Sequence, residues 1–228
     1  MRDYKSNIGF FTKWDKGEAL GIGIMAVGFA MLWLGRGPLY RIGGAVLLFG
    51  GLAVFFILGA GISSEKHVRE EIRQKCEGIF IELQGDSHFF RRVPANPKEY
   101  VLEGFLYDDD VYLKRVRNGD IVSSRYRYAK VQVLNDAFYI RMRTFSLISD
   151  ETEDVIHDIL FNTIEAIEIR KHEEKRTFNE KEFDLKTCEV VIAYDGGKEL
   201  ALPKEDDIYN DDFVYEWKKD CHFGKASE

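Results

Sequence analysis

The chain has 228 residues, is 45% hydrophobic and carries a formal net charge of −7. Its three cysteines, Cys76, Cys188 and Cys221, are odd in number and far apart. That suits free thiols in a reducing compartment better than a disulfide framework. An acidic balance excludes a general nucleic-acid binder, and the expected partners contain no nucleic acid.

Two uncharged apolar runs come first, Ala19 to Gly35 and Ile42 to Ile62. A bilayer core of about 30 Å needs roughly 20 apolar helical residues, with about 17–25 tolerated. Both runs fit, the first only just. Backbone amides in lipid must be satisfied internally, so each run is predicted to be a helix. A signal peptide has a shorter apolar region and a small-residue cleavage site; here the first run ends in Leu32, Trp33 and Leu34, and the second follows at once.

The basic residues set the orientation. Arg2, Lys5, Lys13 and Lys16 precede the first run, and Lys66, Arg69, Arg73 and Lys75 follow the second, against Arg36 and Arg41 between them. Positive flanks stay cytoplasmic. The expectation is an integral membrane protein with two spans, a turn at Gly37 and Pro38, and both termini cytoplasmic. Trp14, Trp33 and Tyr40 fall near the span ends, where amphipathic rings prefer the interface. Gly21, Gly23 and Gly28 in the first run and Gly43, Gly44, Gly50 and Gly51 in the second predict close packing of the two helices. Neither run contains an ionisable residue, which favours an anchor over a transporter or an intramembrane enzyme.

From Ser63 onward there are 26 basic and 36 acidic residues in 166. Val68, Ile72, Cys76, Ile79, Phe80 and Leu83 recur at helical spacing, with Gly85 as the stop. They predict a juxtamembrane amphipathic helix. Asn96, Pro97, Lys98 and Glu99 read as a helix start, whereas Gly104 and the run Asp108, Asp109 and Asp110 weaken a helix; Tyr100 to Tyr107 stays open between helix and strand. The three aspartates read as an acidic turn, since a calcium loop needs alternating ligands and a closing glutamate.

Beyond Asp110 the pattern is β. Asn118 and Gly119 form a hairpin turn. One strand runs from Ile121 to Leu134 and a second from Ala137 to Ile148, joined by Asn135 and Asp136. Ile156 to Phe161, Ile164 to Arg170, Cys188 to Tyr194 and Lys198 to Leu202 follow, the last two flanking a turn at Asp195, Gly196 and Gly197. A helix over Asp206 to Phe223 closes the chain. The predicted organisation is an anchor over 1–62, a juxtamembrane helix and loop over 63–98, and a mainly β cytoplasmic domain over 99–228.

The stretches 130–140, 158–169 and 189–200 resemble the bacterial pleckstrin-homology-like (PH-like) domains in hydrophobic rhythm and turn placement. The resemblance covers about the last hundred residues. It implies an antiparallel sandwich or barrel closed by a C-terminal helix, lipid or protein binding, and no catalysis.

One local feature is sharper. Residues 111–143 hold eight basic residues against Asp120 and Asp136. A two-residue turn at Asn135 and Asp136 pairs Lys130 with Arg141, Tyr128 with Arg143 and Gln132 with Tyr139 on one face. Val133 with Phe138, Val131 with Ile140 and Ala129 with Met142 share the other, apolar face. Like charges directly opposite destabilise a sheet. Either carboxylates from the C-terminal half neutralise Lys130 and Arg141, or Lys130, Arg141, Arg143 and Tyr128 form an anion site; a one-residue slip would exchange the faces.

No phosphate-binding loop, nucleophile elbow, zinc-protease motif or paired metal-ligand spacing is present, so no cofactor and no metal are expected. The sequence reads as a membrane-anchored, non-catalytic interaction or sensing module with a bilayer and a protein partner. An anionic lipid head-group binder and a membrane enzyme without a recognisable motif are the alternatives.

Overall fold

The computed structural model describes residues 4–12, 17–59, 64–81, 92–96, 98–204 and 212–225. The chain divides into two compact units, Met1–Val68 and Arg69–Glu228.

The first unit is helical: α1 (Tyr4–Thr12), α2 (Gly17–Leu34), α3 (Pro38–Gly59) and the first residues of α4 (Glu65–Ile81). Proline suits the first turn of a helix, where its missing N–H would be unpaired anyway. Helix α3 therefore starts at Pro38, leaving a connection of only Gly35 to Gly37, and Arg41 lies inside the helix rather than in the turn. Helix α1 has no counterpart in the sequence reading.

Helices α2 and α3 pack at close range through part of the glycine set. A Cβ on Gly28 would meet the Leu48 nitrogen at 2.6 Å and the Gly44 oxygen at 2.7 Å; one on Gly51 would meet the Met25 nitrogen at 2.7 Å. Gly23 and Gly50 face open space, so the packing stripe is Gly21, Gly28, Gly44 and Gly51. The outward surface is apolar: Phe29, Trp33, Leu39, Ile42, Phe49 and Ile57 are each more than 60% exposed. Among the described residues one helix segment, Pro38–Ile57, is long and apolar enough to cross a membrane; Leu20–Leu34 is a shorter apolar segment.

The second unit is mainly β and antiparallel. Strands β1 (Lys98–Leu106), β4 (Arg125–Val133), β5 (Ala137–Ser146) and β6 (Thr152–Leu160) form one sheet in that order. Strands β7 (Ile164–Phe178), β8 (Lys181–Tyr194) and β9 (Lys198–Pro203) form a second, and β2 (Leu113–Arg115) with β3 (Ile121–Ser123) a small hairpin. Helix α5 (Asp212–Lys225) closes the chain.

Ala129, Val131, Val133, Phe138 and Ile140 meet Val190, Ile192 and Leu202 in one core, which α5 covers with Phe213, Val214 and Trp217. Trp217 is fully buried, its ring 4.9 Å from Phe138 and 5.4 Å from Tyr100. A smaller cluster of Val111, Leu113, Phe183 and Leu185 ties the β2–β3 hairpin to the far part of the β7–β8 arm.

Several boundaries differ from the sequence reading. The stretch from Lys98, open between helix and strand over Tyr100 to Tyr107, is strand: it pairs along its whole length with β4, and that ladder overrides the helix-start signal at Asn96 to Glu99. The long strand from Ile121 breaks at Ser124 into β3 and β4. Strand β6 begins four residues before Ile156, and β7 and β8 extend to a turn at Asn179 and Glu180, both at positive φ. Helix α4 reaches Ile81; Leu83 and Gly85 lie outside the described residues, as does the expected start of the last helix at Asp206.

Candidate functional site

The four expected anion ligands stand where the turn places them. Lys130 opposes Arg141 and Tyr128 opposes Arg143, as Gln132 opposes Tyr139. Side chains alternate across a strand, so the same face receives Glu99 and Glu103 from β1 and Asp154, Ile156 and Asp158 from β6. Two basic columns thus lie between two columns that carry carboxylates.

Most of the basic charge is taken up inside the sheet. Lys130 Nζ is 2.7 Å from Glu99 Oε2, and Gln132 donates a hydrogen bond to the same carboxylate. Burial works against a charged Glu99, but the hydrogen bonds from Lys130 and Gln132 outweigh it and hold its carboxyl below the ordinary range. Arg143 grips Asp154 with Nε and Nη2, both at 2.6 Å. Asp158 is held by Arg92, which also binds Asp136. Neutralisation therefore comes from both flanking strands: Asp154 lies in the C-terminal half as expected, whereas Glu99 precedes the basic segment.

Helix α4 covers part of this face. Ile72, Cys76 and Ile79 are buried along one side of it. Between them Lys75, also buried, donates to the Ser146 carbonyl at 2.7 Å, and Arg143 Nη1 donates to the Lys75 carbonyl at 3.1 Å. The Lys75 ammonium also sits 5.1 Å from the Phe145 ring centre. Burial, with Glu103 nearby, pushes the Cys76 thiol up to about 12, which makes it a packing residue rather than a nucleophile. Burial also raises the Glu103 carboxyl, against a hydrogen bond from Tyr126.

Arg141 is the exception. It has no hydrogen-bond or ion-pair partner among the described residues, and its Nε is buried without an acceptor. It lines a pocket of about 100 Å³ with Ile79, Met142, Arg143, Asp154, Val155 and Ile156.

A second concavity has no signature in the sequence. A cleft of about 760 Å³ is lined by β1, the β2–β3 turn, the β7–β8 arm and the end of β9, with Tyr107, Asp120, His172, Lys186 and Lys204 among its residues. These come from distant stretches with no shared motif, so no local signal announces them. Asp108 and Asp110 bind Arg125 at 3.1 Å each, and Asp109 lies 3.5 Å from Arg176; the three aspartates are ion-pair partners in a turn. Among the described residues no group of three His, Cys, Asp or Glu side chains could hold a metal ion.

Comparison with known protein families, with curated proteins and with solved structures finds no match to this chain.

Proposed function

We propose that this chain is a membrane-anchored, non-catalytic interaction module, with α2 and α3 as a two-span hairpin, both termini cytoplasmic, and a PH-like domain held at the membrane surface. The observation that carries this reading is the outward face of the α2–α3 pair. Large side chains such as Phe29, Trp33, Leu39 and Phe49 are each more than 60% exposed among the described residues. An exposed apolar surface of that extent marks a membrane or an interaction face, and its length suits lipid: twenty helical residues from Pro38 to Ile57 rise roughly 30 Å. In the second unit, a four-stranded and a three-stranded antiparallel sheet closed by a C-terminal helix support the PH-like reading.

The charge arrangement supports partner binding over a head-group site. Glu99 and Asp154 already occupy Lys130 and Arg143, so a lipid phosphate would have to displace two ion pairs. Alkaline extraction of membranes, combined with protease treatment of sealed vesicles, tests the proposal. The chain should stay in the membrane pellet, and the β domain should be cleaved only in inside-out vesicles. Release by alkali, or cleavage in right-side-out vesicles, would overturn it.

A further inference from the structure

We infer that the outer edge of β6, with the pocket at Arg141, binds an extended segment of a partner protein that carries a single carboxylate, by strand addition. This rests on the interaction-module reading and names the partner's chemistry.

The four edges of the two larger sheets are not equivalent. Strand β1 runs beside β9, so those two edges face each other. The β7 edge carries the cations Lys171, Lys175 and Arg176 among glutamates, and basic side chains of that kind protect an edge from further pairing, whereas the charges on β6 are the carboxylates Glu153, Asp154 and Asp158. Strand β6 pairs with β5 on one side and with no other strand among the described residues. It is nine residues long and exposes Ile156 at 53% and Leu160 at 42%. Both side chains lie on the Arg141 face, because Ile156 pairs with Arg141 and Leu160 follows four residues later.

An incoming strand would satisfy backbone groups on that edge of β6, which no described strand pairs, and its apolar side chains would cover Ile156 and Leu160. The pocket beside that edge is apolar at Ile79, Met142 and Ile156, and among the described residues that line it Arg141 is the charge without a partner. The carboxylates nearest to Arg141 on β6 are engaged, Asp154 by Arg143 and Asp158 by Arg92. A carboxylate from the partner is the complementary group, and guanidinium binds carboxylate well in a partly desolvated site.

The test uses the full chain in nanodiscs of zwitterionic lipid. The probe is a fluorescent nine-residue peptide of alternating threonine and valine with one central glutamate and terminal lysines; its twin carries glutamine instead. The glutamate peptide should bind roughly tenfold tighter, the size of one charge-assisted hydrogen bond. Arg141→Gln should erase that preference, and Ile156→Asp should weaken both peptides. Hydrogen exchange on the unaltered chain should slow within Thr152–Leu160 when the glutamate peptide is added, a readout independent of how the variants fold. Equal binding of the two peptides, or protection confined to another strand, would overturn the inference. So would Arg141-dependent binding of phosphatidylserine vesicles without peptide binding, which would assign Arg141 to a lipid head group. Retention in the membrane does not depend on any of these results, so failure here is distinguishable from failure of the anchor.

Discussion

Lys130 and Arg141 face each other across β4 and β5, yet they should respond oppositely to the same substitution. Lys130→Gln breaks a 2.7 Å ion pair in which the lysine is 10% exposed and Glu99 is 41% exposed. Removing one partner of a fully buried pair costs about 3–5 kcal/mol. Glu99 keeps Gln132 and is partly open to water, which discounts the loss toward the surface range, so the expected cost is about 1–3 kcal/mol. Arg141→Gln removes a guanidinium with no partner among the described residues and relieves a directly opposed like charge. It should leave stability unchanged or raise it by about 0.2–1 kcal/mol. The relief requires Lys130, so Arg141→Gln should gain less in the Lys130→Gln background. Urea denaturation of the full chain in detergent, followed by tryptophan fluorescence, reads all four corners of this cycle. If Arg141→Gln costs as much as Lys130→Gln, the division into a paired and an unpaired cation is wrong.

Three further outcomes follow from the packing. Gly28→Val should disrupt the α2–α3 pair, because its Cβ would meet backbone at 2.6 Å, whereas Gly50→Val points into open space and should be tolerated; cross-linking between cysteines introduced on the two helices separates the cases. Trp217→Ala should destabilise the β domain by about 3–5 kcal/mol, since it empties a fully buried position against Phe138, and loss of cooperative unfolding would report it. Burial raises the Glu103 carboxyl above its ordinary value, so its contribution is present below the unfolded pKa and lost as pH rises through the folded one. Glu103→Gln should therefore raise the melting temperature at neutral pH relative to the unaltered chain and lose that advantage in acid; an equal shift at both pH values would contradict the burial argument.

The β4–β5 register was legible because a two-residue turn at Asn135 and Asp136 fixes every pair, and one buried face pins it against slippage. The α4 seam at Ile72, Cys76 and Ile79 was legible from its period for the same reason. Strand β1 was not, because Asn96 to Glu99 imitates a helix start and only the ladder with β4 decides otherwise. The β7–β8 arm beyond Arg170 is charged and largely exposed, and its turn uses Asn179 and Glu180 rather than a glycine, so neither periodicity nor turn chemistry signals it. Asp154 is not legible because the apolar pattern of β6 starts only at Ile156; the strand itself starts at Thr152, which brings that carboxylate opposite Arg143 on the basic face. Lys75 lies 71 residues from Ser146, a pairing that no local pattern encodes.

The central claim is that the apolar helices anchor a β domain on the cytoplasmic side of a membrane. A reporter enzyme active only in the cytoplasm, fused after Glu228 of the full chain, tests it most directly, with a second reporter active only outside fused at the same point. The account predicts activity from the first and none from the second, because the basic residues flank the outer ends of the helical pair. Activity from the outside reporter at Glu228 would contradict it.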